Sequence, residues 1–142
     1  MKFAERLAPL GLAPPHAGIL WSLANSGGQT QQALAEHLGV LPSRLVALVD
    51  ELESRGLVER RSNPEDRRSH ELHVTEGGRS ALEAIGRIAR AHQESLCEAL
   101  SATEREQLAA LLLRIAEQQG LRRGVHPGFK RLGRGRTREA ER

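Results

Sequence analysis

The chain has 142 residues, a formal net charge of +3 and one cysteine, Cys97. This length suits a single domain, and one cysteine excludes both an internal disulfide and a zinc site built from cysteines. The sequence contains no run of about 18 apolar residues, the length needed to span a membrane. Residues 1–11 contain no apolar secretion core, so we expect a cytoplasmic protein.

Aromatic residues are nearly absent, since the chain contains only Phe3, Trp21 and Phe129 and no tyrosine. The core must therefore be built from leucine, alanine, valine and isoleucine. This composition favours packed helices over a sandwich of strands, because strands are enriched in aromatic and β-branched residues.

Four helices are predicted in the first part of the chain, separated by glycine and proline. Pro14 and Pro15 stand where prolines open a helix, and Thr30 is the predicted N-cap of the third helix, which stops at Gly39. A tight turn over residues 39–42 leads into the fourth helix. The predicted helices cover residues 3–10, 14–26, 31–38 and 43–55.

The periodicity then changes from helix to strand. Residues 57–61 and 70–75 are short, and Leu72 and Val74 alternate with polar neighbours, which predicts a two-stranded hairpin with a loop over residues 62–69. Thr75 is the predicted N-cap of a long helix to about Leu100. A capping box formed by Ser101 and Glu104 opens a last helix.

Two helices joined by a tight turn form a helix-turn-helix, and a hairpin directly after it is the layout of a winged helix. The predicted fold class is therefore mainly α with a small β-hairpin, a winged helix-turn-helix with long dimerisation helices over residues 1–119 and a wing at 57–75. The long helices carry more apolar surface than so small a domain can cover, which predicts a partner subunit.

Positive charge is concentrated at the C-terminus. Residues 120–142 contain eight arginines and lysines and two acids, a net of +6, so residues 1–119 sum to −3. Glycine, proline and arginine dominate there without periodicity, which predicts a mobile basic tail over residues 120–142. Such tails are weak evidence for nucleic-acid binding, because many only solvate the protein.

Residues 56–79 read G-L-V-E-R-R-S-N-P-E-D-R-R-S-H-E-L-H-V-T-E-G-G-R. With the spacing of Asp66, Arg68, Leu72 and Thr75, this run resembles the wing of the multiple-antibiotic-resistance regulator (MarR) family. The upstream runs L-A-P-P-H-A-G-I-L-W-S-L and Q-Q-A-L-A-E-H-L-G-V resemble the helices before that family's recognition helix. The resemblance covers about residues 10–117.

This resemblance implies a homodimeric transcription regulator that binds double-stranded DNA. Members of the family usually repress from a pseudo-palindromic promoter site, and many are released by a small-molecule effector. In the family, the helix that corresponds to residues 14–26 lines a ligand pocket, so the resemblance implies a ligand role for His16 and Trp21. An architectural or protein-interaction module without ligand response is the alternative.

The fourth helix is the predicted recognition helix. Its predicted buried stripe of Leu45, Leu48, Val49 and Leu52 leaves the other face for DNA. Among the residues on that face, only Arg44 can make a bidentate contact with guanine. Apolar side chains there could rest on thymine methyl groups. The residues predicted to face the major groove are Ser43, Arg44, Val46 and Ala47.

Residues 30–75 contain six arginines and eight acids, a net of −2, so the predicted DNA-binding region cannot act by bulk charge. Phosphate contacts must come from well-placed arginines, most of them in the wing. Asp66 is predicted to orient the guanidinium of Arg68 through a charge-assisted hydrogen bond. The predicted DNA-binding residues of the wing are Arg60, Arg61, Arg67 and Arg68, together with Asp66 in its orienting role. Thr30, Gln31 and Gln32 are predicted to contact phosphate at a helix N-terminus.

Other chemistry finds little support in the sequence. The six histidines show no ligand spacing with a carboxylate or thiol, which argues against a metal site, and Cys97 has no obvious cationic activator. No arrangement of nucleophile and base, no phosphate-binding loop and no paired carboxylates stand out. We therefore expect neither a cofactor nor a catalytic activity.

Overall fold

The chain is described from a computed structural model, which describes residues 2–66, 68–126 and Phe129. Its elements are α1 (Phe3–Leu7), a short 3-10 helix (Ala8–Leu10), α2 (Pro14–Ser26), β1 (Gln29–Thr30), α3 (Gln31–Leu38), α4 (Pro42–Ser54), β2 (Val58–Ser62), β3 (His70–Val74), α5 (Glu76–Leu96) and α6 (Ala102–Gln118). The predicted fold class is confirmed.

Local sequence signals determine where most helices begin and end. The hydroxyl of Thr30 accepts a hydrogen bond from the backbone N–H of Ala33 at 3.1 Å and so caps α3, as predicted. Gly39 ends α3 in the left-handed conformation, with a φ of 69°. The capping box of Ser101 and Glu104 opens α6. Each of these positions was predicted from residue type alone.

The sheet has three strands, whereas the sequence predicted two. Strand order is β1-β3-β2, and β1 pairs antiparallel with β3 through Gln29 opposite Leu72 and Thr30 opposite Glu71. Strands β2 and β3 form the predicted hairpin, from Val58 opposite Val74 to Ser62 opposite His70. A strand of two residues is too short to show an alternating pattern, so β1 could not be recognised from the sequence.

Helix α5 ends at Leu96, four residues before the predicted end near Leu100. Residues 97–100 form a turn, in which the backbone N–H of Leu100 donates to the carbonyl of Cys97 at 2.9 Å. The side chain of Arg105 also donates to the carbonyls of Cys97 and Leu100, at 3.1 and 3.2 Å. These contacts stabilise the turn between α5 and α6.

The core lies between α2, α3, α4 and the inner face of the sheet. Aliphatic side chains fill it, as the composition predicted, and those fully buried include Ile19, Leu20, Leu34, Leu45, Val49, Leu52 and Leu72. Helix α6, in contrast, has no buried residue. Its apolar side chains are between 40% and 56% exposed at Leu108, Leu111, Leu112, Leu113 and Ile115.

Residues 120–126 and Phe129 are the described part of the segment for which the sequence predicted a mobile tail, and the mobility of that tail stays a prediction. They turn back after α6 and contact α2 and α3. The residues that make these contacts are single and scattered along the segment, so no sequence periodicity indicated them. Residues 127, 128 and 130–142 lie outside the described residues. Within the described part of the chain, no helix is long and apolar enough to cross a bilayer.

Replacing Thr75 tests how α5 is joined to the wing. Its hydroxyl accepts from the backbone N–H of Gly78 at 3.0 Å and donates to the carbonyl of Gly56 at 2.6 Å. Thr75→Ala should lower the free energy of unfolding by about 1–2 kcal/mol, because an N-cap acceptor is lost. Urea unfolding at fixed protein concentration measures this. Thr75→Ser keeps the hydroxyl and should retain most of the stability; equal losses in both variants would contradict the capping role.

Candidate DNA-binding surface

The exposed face of α4 is the first part of the candidate surface. Leu45, Val49 and Leu52 are fully buried, so the helix turns its other side to solvent. Ser43, Arg44, Val46 and Ala47 are all exposed on that side. The four predicted residues therefore share one exposed face of α4, and their contact with the major groove stays a prediction.

The second part of the surface is a recess between the start of α3 and the wing. It has a volume of about 340 Å³. The structure thus brings together two groups that the sequence predicted separately, although about 30 residues lie between them. Residues that line the recess are Thr30, Gln31, Gln32, Arg60, Arg68, Ser69 and His70.

Arg60 has protein partners that the sequence did not indicate. Its guanidinium donates to Asp50 of α4 at 2.6 Å, to Glu53 of α4, and to Gln31 of α3 at 3.2 Å. The side chain is only 23% exposed. Arg60 therefore joins β2 to both helices of the helix-turn-helix, and its predicted contact with phosphate stays a prediction.

Each acid of α4 has a cationic or imidazole partner. Asp50 and Glu53 pair with Arg60, and Glu51 lies 2.6 Å from Nε2 of His16. Their charge is thus directed toward the protein's own side chains. The net charge of the region is unchanged, but less of the negative charge faces solvent unpaired.

At the wing tip, Asp66 acts on the backbone rather than on a guanidinium. Its Oδ1 accepts a hydrogen bond from the backbone N–H of Arg68 at 3.0 Å, and its carbonyl accepts from the N–H of Ser69 at 3.2 Å. An aspartate that bonds the N–H two residues on forms an Asx-turn. The described contacts therefore replace the predicted bond to the guanidinium with a turn that sets the direction in which Arg68 leaves the wing.

The remaining wing arginines differ in their surroundings. Arg68 is exposed. Arg61 is 59% exposed and pairs with Glu59 of its own strand. Arg67 lies outside the described residues. Among the described wing arginines, Arg68 is exposed without an acid partner, so its position fits the predicted contact with phosphate best.

His16 and Trp21, the two predicted ligand residues, are not brought together. His16 is buried: Nδ1 accepts from the backbone N–H of Ala13 at 3.0 Å, and Nε2 contacts Glu51. In the neutral ring, Nε2 is then the donor to Glu51. Trp21 is half exposed and lies beside Gly124. His16 joins α2 to α4, and a ligand role for either residue stays a prediction.

Two arginines outside the predicted set also hold this region. Arg55, at the end of α4, donates to the carbonyls of Gly11 and Leu10, at 2.5 and 2.6 Å. Arg122 donates to carbonyls of α3. Both contacts join residues more than 40 positions apart, and no local pattern in the sequence signals them.

Among the described residues, no group of three or more His, Cys, Asp or Glu could hold a metal ion.

Comparison with known proteins identifies the family. A family model described as MarR family matches residues 10–69. A transcriptional repressor, CouR, solved bound to a 23-mer DNA duplex, is 37% identical, with a TM-score of 0.71, over 80% of this chain and 81% of that one. The chain belongs to the MarR family. This confirms the resemblance inferred from the wing.

Further relatives within the MarR family carry regulatory names. A cysteine-to-serine variant of MarR from E. coli, solved with operator DNA, is 29% identical with a TM-score of 0.67 and covers 80% of this chain and 81% of that one. A Thauera aromatica protein, whose name assigns it to transcriptional regulation of the hcr operon, is 37% identical over 108 residues. That match covers 76% of this chain and 65% of the relative, so the chain spans less than two thirds of that protein.

Arg60→Ala tests whether this arginine joins the wing to α4. Loss of the hydrogen bonds to these three acceptors should speed hydrogen exchange of the amides in β2 and β3. It should also lower the free energy of unfolding by about 1 kcal/mol more than Arg61→Ala does. The control removes the same charge from the next residue, which pairs only with Glu59 in the described contacts. Equal exchange in the two variants would contradict the assignment.

Proposed function

We propose that this MarR family member is a DNA-binding transcription regulator that represses as a homodimer on a pseudo-palindromic operator. One observation carries the proposal: the exposed start of α4 adjoins a recess that the wing and the N-terminus of α3 share. A helix N-terminus and nearby arginines are the groups that bind phosphate. The recognition helix would then enter the major groove, with the wing on the adjacent backbone.

The relatives support this proposal. CouR was solved bound to a DNA duplex, and the E. coli MarR variant was solved with operator DNA. Both cover about four fifths of this chain. By analogy with these structures, we assign the same kind of partner, double-stranded DNA, to the surface described above.

Dimerisation is proposed from the apolar face of α6. In the described part of the chain this helix has no buried residue, and four leucines and an isoleucine are at least 40% exposed. An apolar surface of this kind marks an interface. A second copy would cover it symmetrically, and two recognition helices would then face half-sites about one helical turn apart.

Regulation by a small-molecule effector is also proposed, because many members of the MarR family respond in this way. His16 offers a physical route, since its contact with Glu51 joins α2 to the recognition helix. A ligand that displaced the His16 side chain would free that end of α4. We assign the chain a regulatory and not a catalytic role, exercised in the cytoplasm.

Arg68→Ala tests the contribution of the wing. Loss of one phosphate contact in each subunit should weaken binding to specific and random DNA alike and reduce the slope of log K against log salt by about 2 per dimer. Fluorescence anisotropy over a salt series measures both quantities. As a control, Arg87→Ala removes the same charge from an exposed position on α5. Equal affinity and equal salt slope in Arg68→Ala and Arg87→Ala would refute a phosphate contact by Arg68.

Arg44→Ala tests base readout by α4. Loss of a bidentate contact with guanine should cost about 1–3 kcal/mol on the operator and much less on random DNA. Competition between the two DNAs measures this difference. Arg44→Lys keeps the charge but not the planar fork, so it should retain affinity for random DNA while losing discrimination. Uniform weakening across sequences would instead assign Arg44 to the phosphate backbone.

A further inference from the structure

Residues 120–126 and Phe129 form a segment that we call the C-terminal strap. It follows α6 and lies against α2 and α3 of the same chain. Gly120 and Gly124 have φ angles of 65° and 71°, a left-handed conformation that glycine adopts without steric cost. These two glycines turn the chain back toward the helix-turn-helix.

Arg122 attaches the strap to the end of α3. Its Nη1 donates to the backbone carbonyls of Glu36 and His37, at 2.9 and 2.8 Å. Carbonyls in the last turn of a helix lack partners within the helix and form the negative end of its dipole. The carbonyl of Glu36 also accepts from the backbone N–H of Gly39 at 3.3 Å. The guanidinium adds a donor to both carbonyls and complements the dipole, so Arg122 caps the first helix of the helix-turn-helix.

Two close approaches attach the strap to α2. Phe129 is only 4% exposed and packs on Gly18, where a Cβ atom would lie 2.7 Å from two ring carbons. Gly124 lies against the indole of Trp21, at a distance where a Cβ atom would be 2.5 Å from a ring carbon. The absence of a side chain at Gly18 and Gly124 is what allows both contacts.

Helix α6 depends on this segment for its position. In the described part of the chain it buries none of its residues, and its contact with α5 includes the ion pair of Arg105 with Glu94 at 3.2 Å. At its two ends it is joined to α5 and to the strap. The orientation of α6 in a dimer is therefore coupled to that of the helix-turn-helix by two routes, the strap and α5.

We infer that the C-terminal strap fixes the orientation of the helix-turn-helix relative to α6, with Arg122 as the positioning residue for α3. This inference rests on the proposed function, because its consequence is the spacing of two recognition helices on DNA. A dimer with intact straps holds its two helix-turn-helix units at one separation, and so it prefers operators with one half-site spacing.

Arg122→Ala and Arg123→Ala form the matched pair for the test. Both remove one charge from neighbouring positions, but Arg123 is exposed and pairs with Glu117 of α6, whereas Arg122 contacts α3. Each variant is titrated with the operator, with operators whose half-sites are moved apart by one or two base pairs, and with a single half-site. The full chain is used throughout.

Arg122→Ala should bind the natural spacing about fivefold more weakly and discriminate less against the altered spacings, with unchanged affinity for a single half-site. Arg123→Ala should keep the preference of the wild type. Equal spacing preferences in the two variants would overturn the inference. A wild type that prefers no DNA sequence would instead refute the proposed function.

Trp21 reports on the strap without DNA, because the chain contains no other tryptophan and no tyrosine. Its indole lies against Gly124. Release of the strap should expose the ring and shift its emission to the red in Arg122→Ala but not in Arg123→Ala. An unshifted emission would overturn the role of Arg122 in holding the strap. A shift without a change in spacing preference would overturn the positioning role.

Discussion

The DNA-binding surface depends on the contacts of one side chain, Arg60. From β2 it reaches two carboxylates of α4, Asp50 and Glu53, and the amide of Gln31 on α3. A guanidinium can serve several acceptors at once because its donors form a rigid planar fork. Without it, two acids would stand unpaired beside the recess, and the wing would lose a tie to both helices. The relative placement of wing and recognition helix follows from this cluster.

The same cluster explains how a region with a net charge of −2 can present a surface for phosphate. Its acids on α4 face protein cations and His16, whereas Arg44 and Arg68 are exposed and their guanidinium groups contact no acceptor within the described residues. Where each charge points therefore matters more than the sum. We expect affinity for DNA to come from a few arginines and helix N-terminal amides, and the dependence of that affinity on salt to be correspondingly modest.

Local signals in the sequence predicted most of the fold, while contacts between distant residues were not predictable. Thr30, Gly39 and Ser101 mark helix ends because capping needs particular residue types. Strand β1 was missed because it owes its existence to pairing with β3, and the end of α5 was misplaced because a turn held by Arg105 replaces its last residues. The partners of Arg60, Arg55 and Arg122 are set by tertiary packing. Residue type identified these side chains as cations but could not say which of them face DNA.

The central claim is that a repressor dimer binds a pseudo-palindromic operator. A DNA footprint combined with a measured stoichiometry of the complex tests it most directly. The purified full chain is bound to promoter fragments, including the region upstream of its own gene, and protected bases are mapped while the mass of the complex is measured. The account predicts two chains on one defined pseudo-palindrome whose half-sites lie about one helical turn apart. Diffuse protection without a repeated half-site, or one chain per site, would contradict it and favour an architectural DNA-binding role.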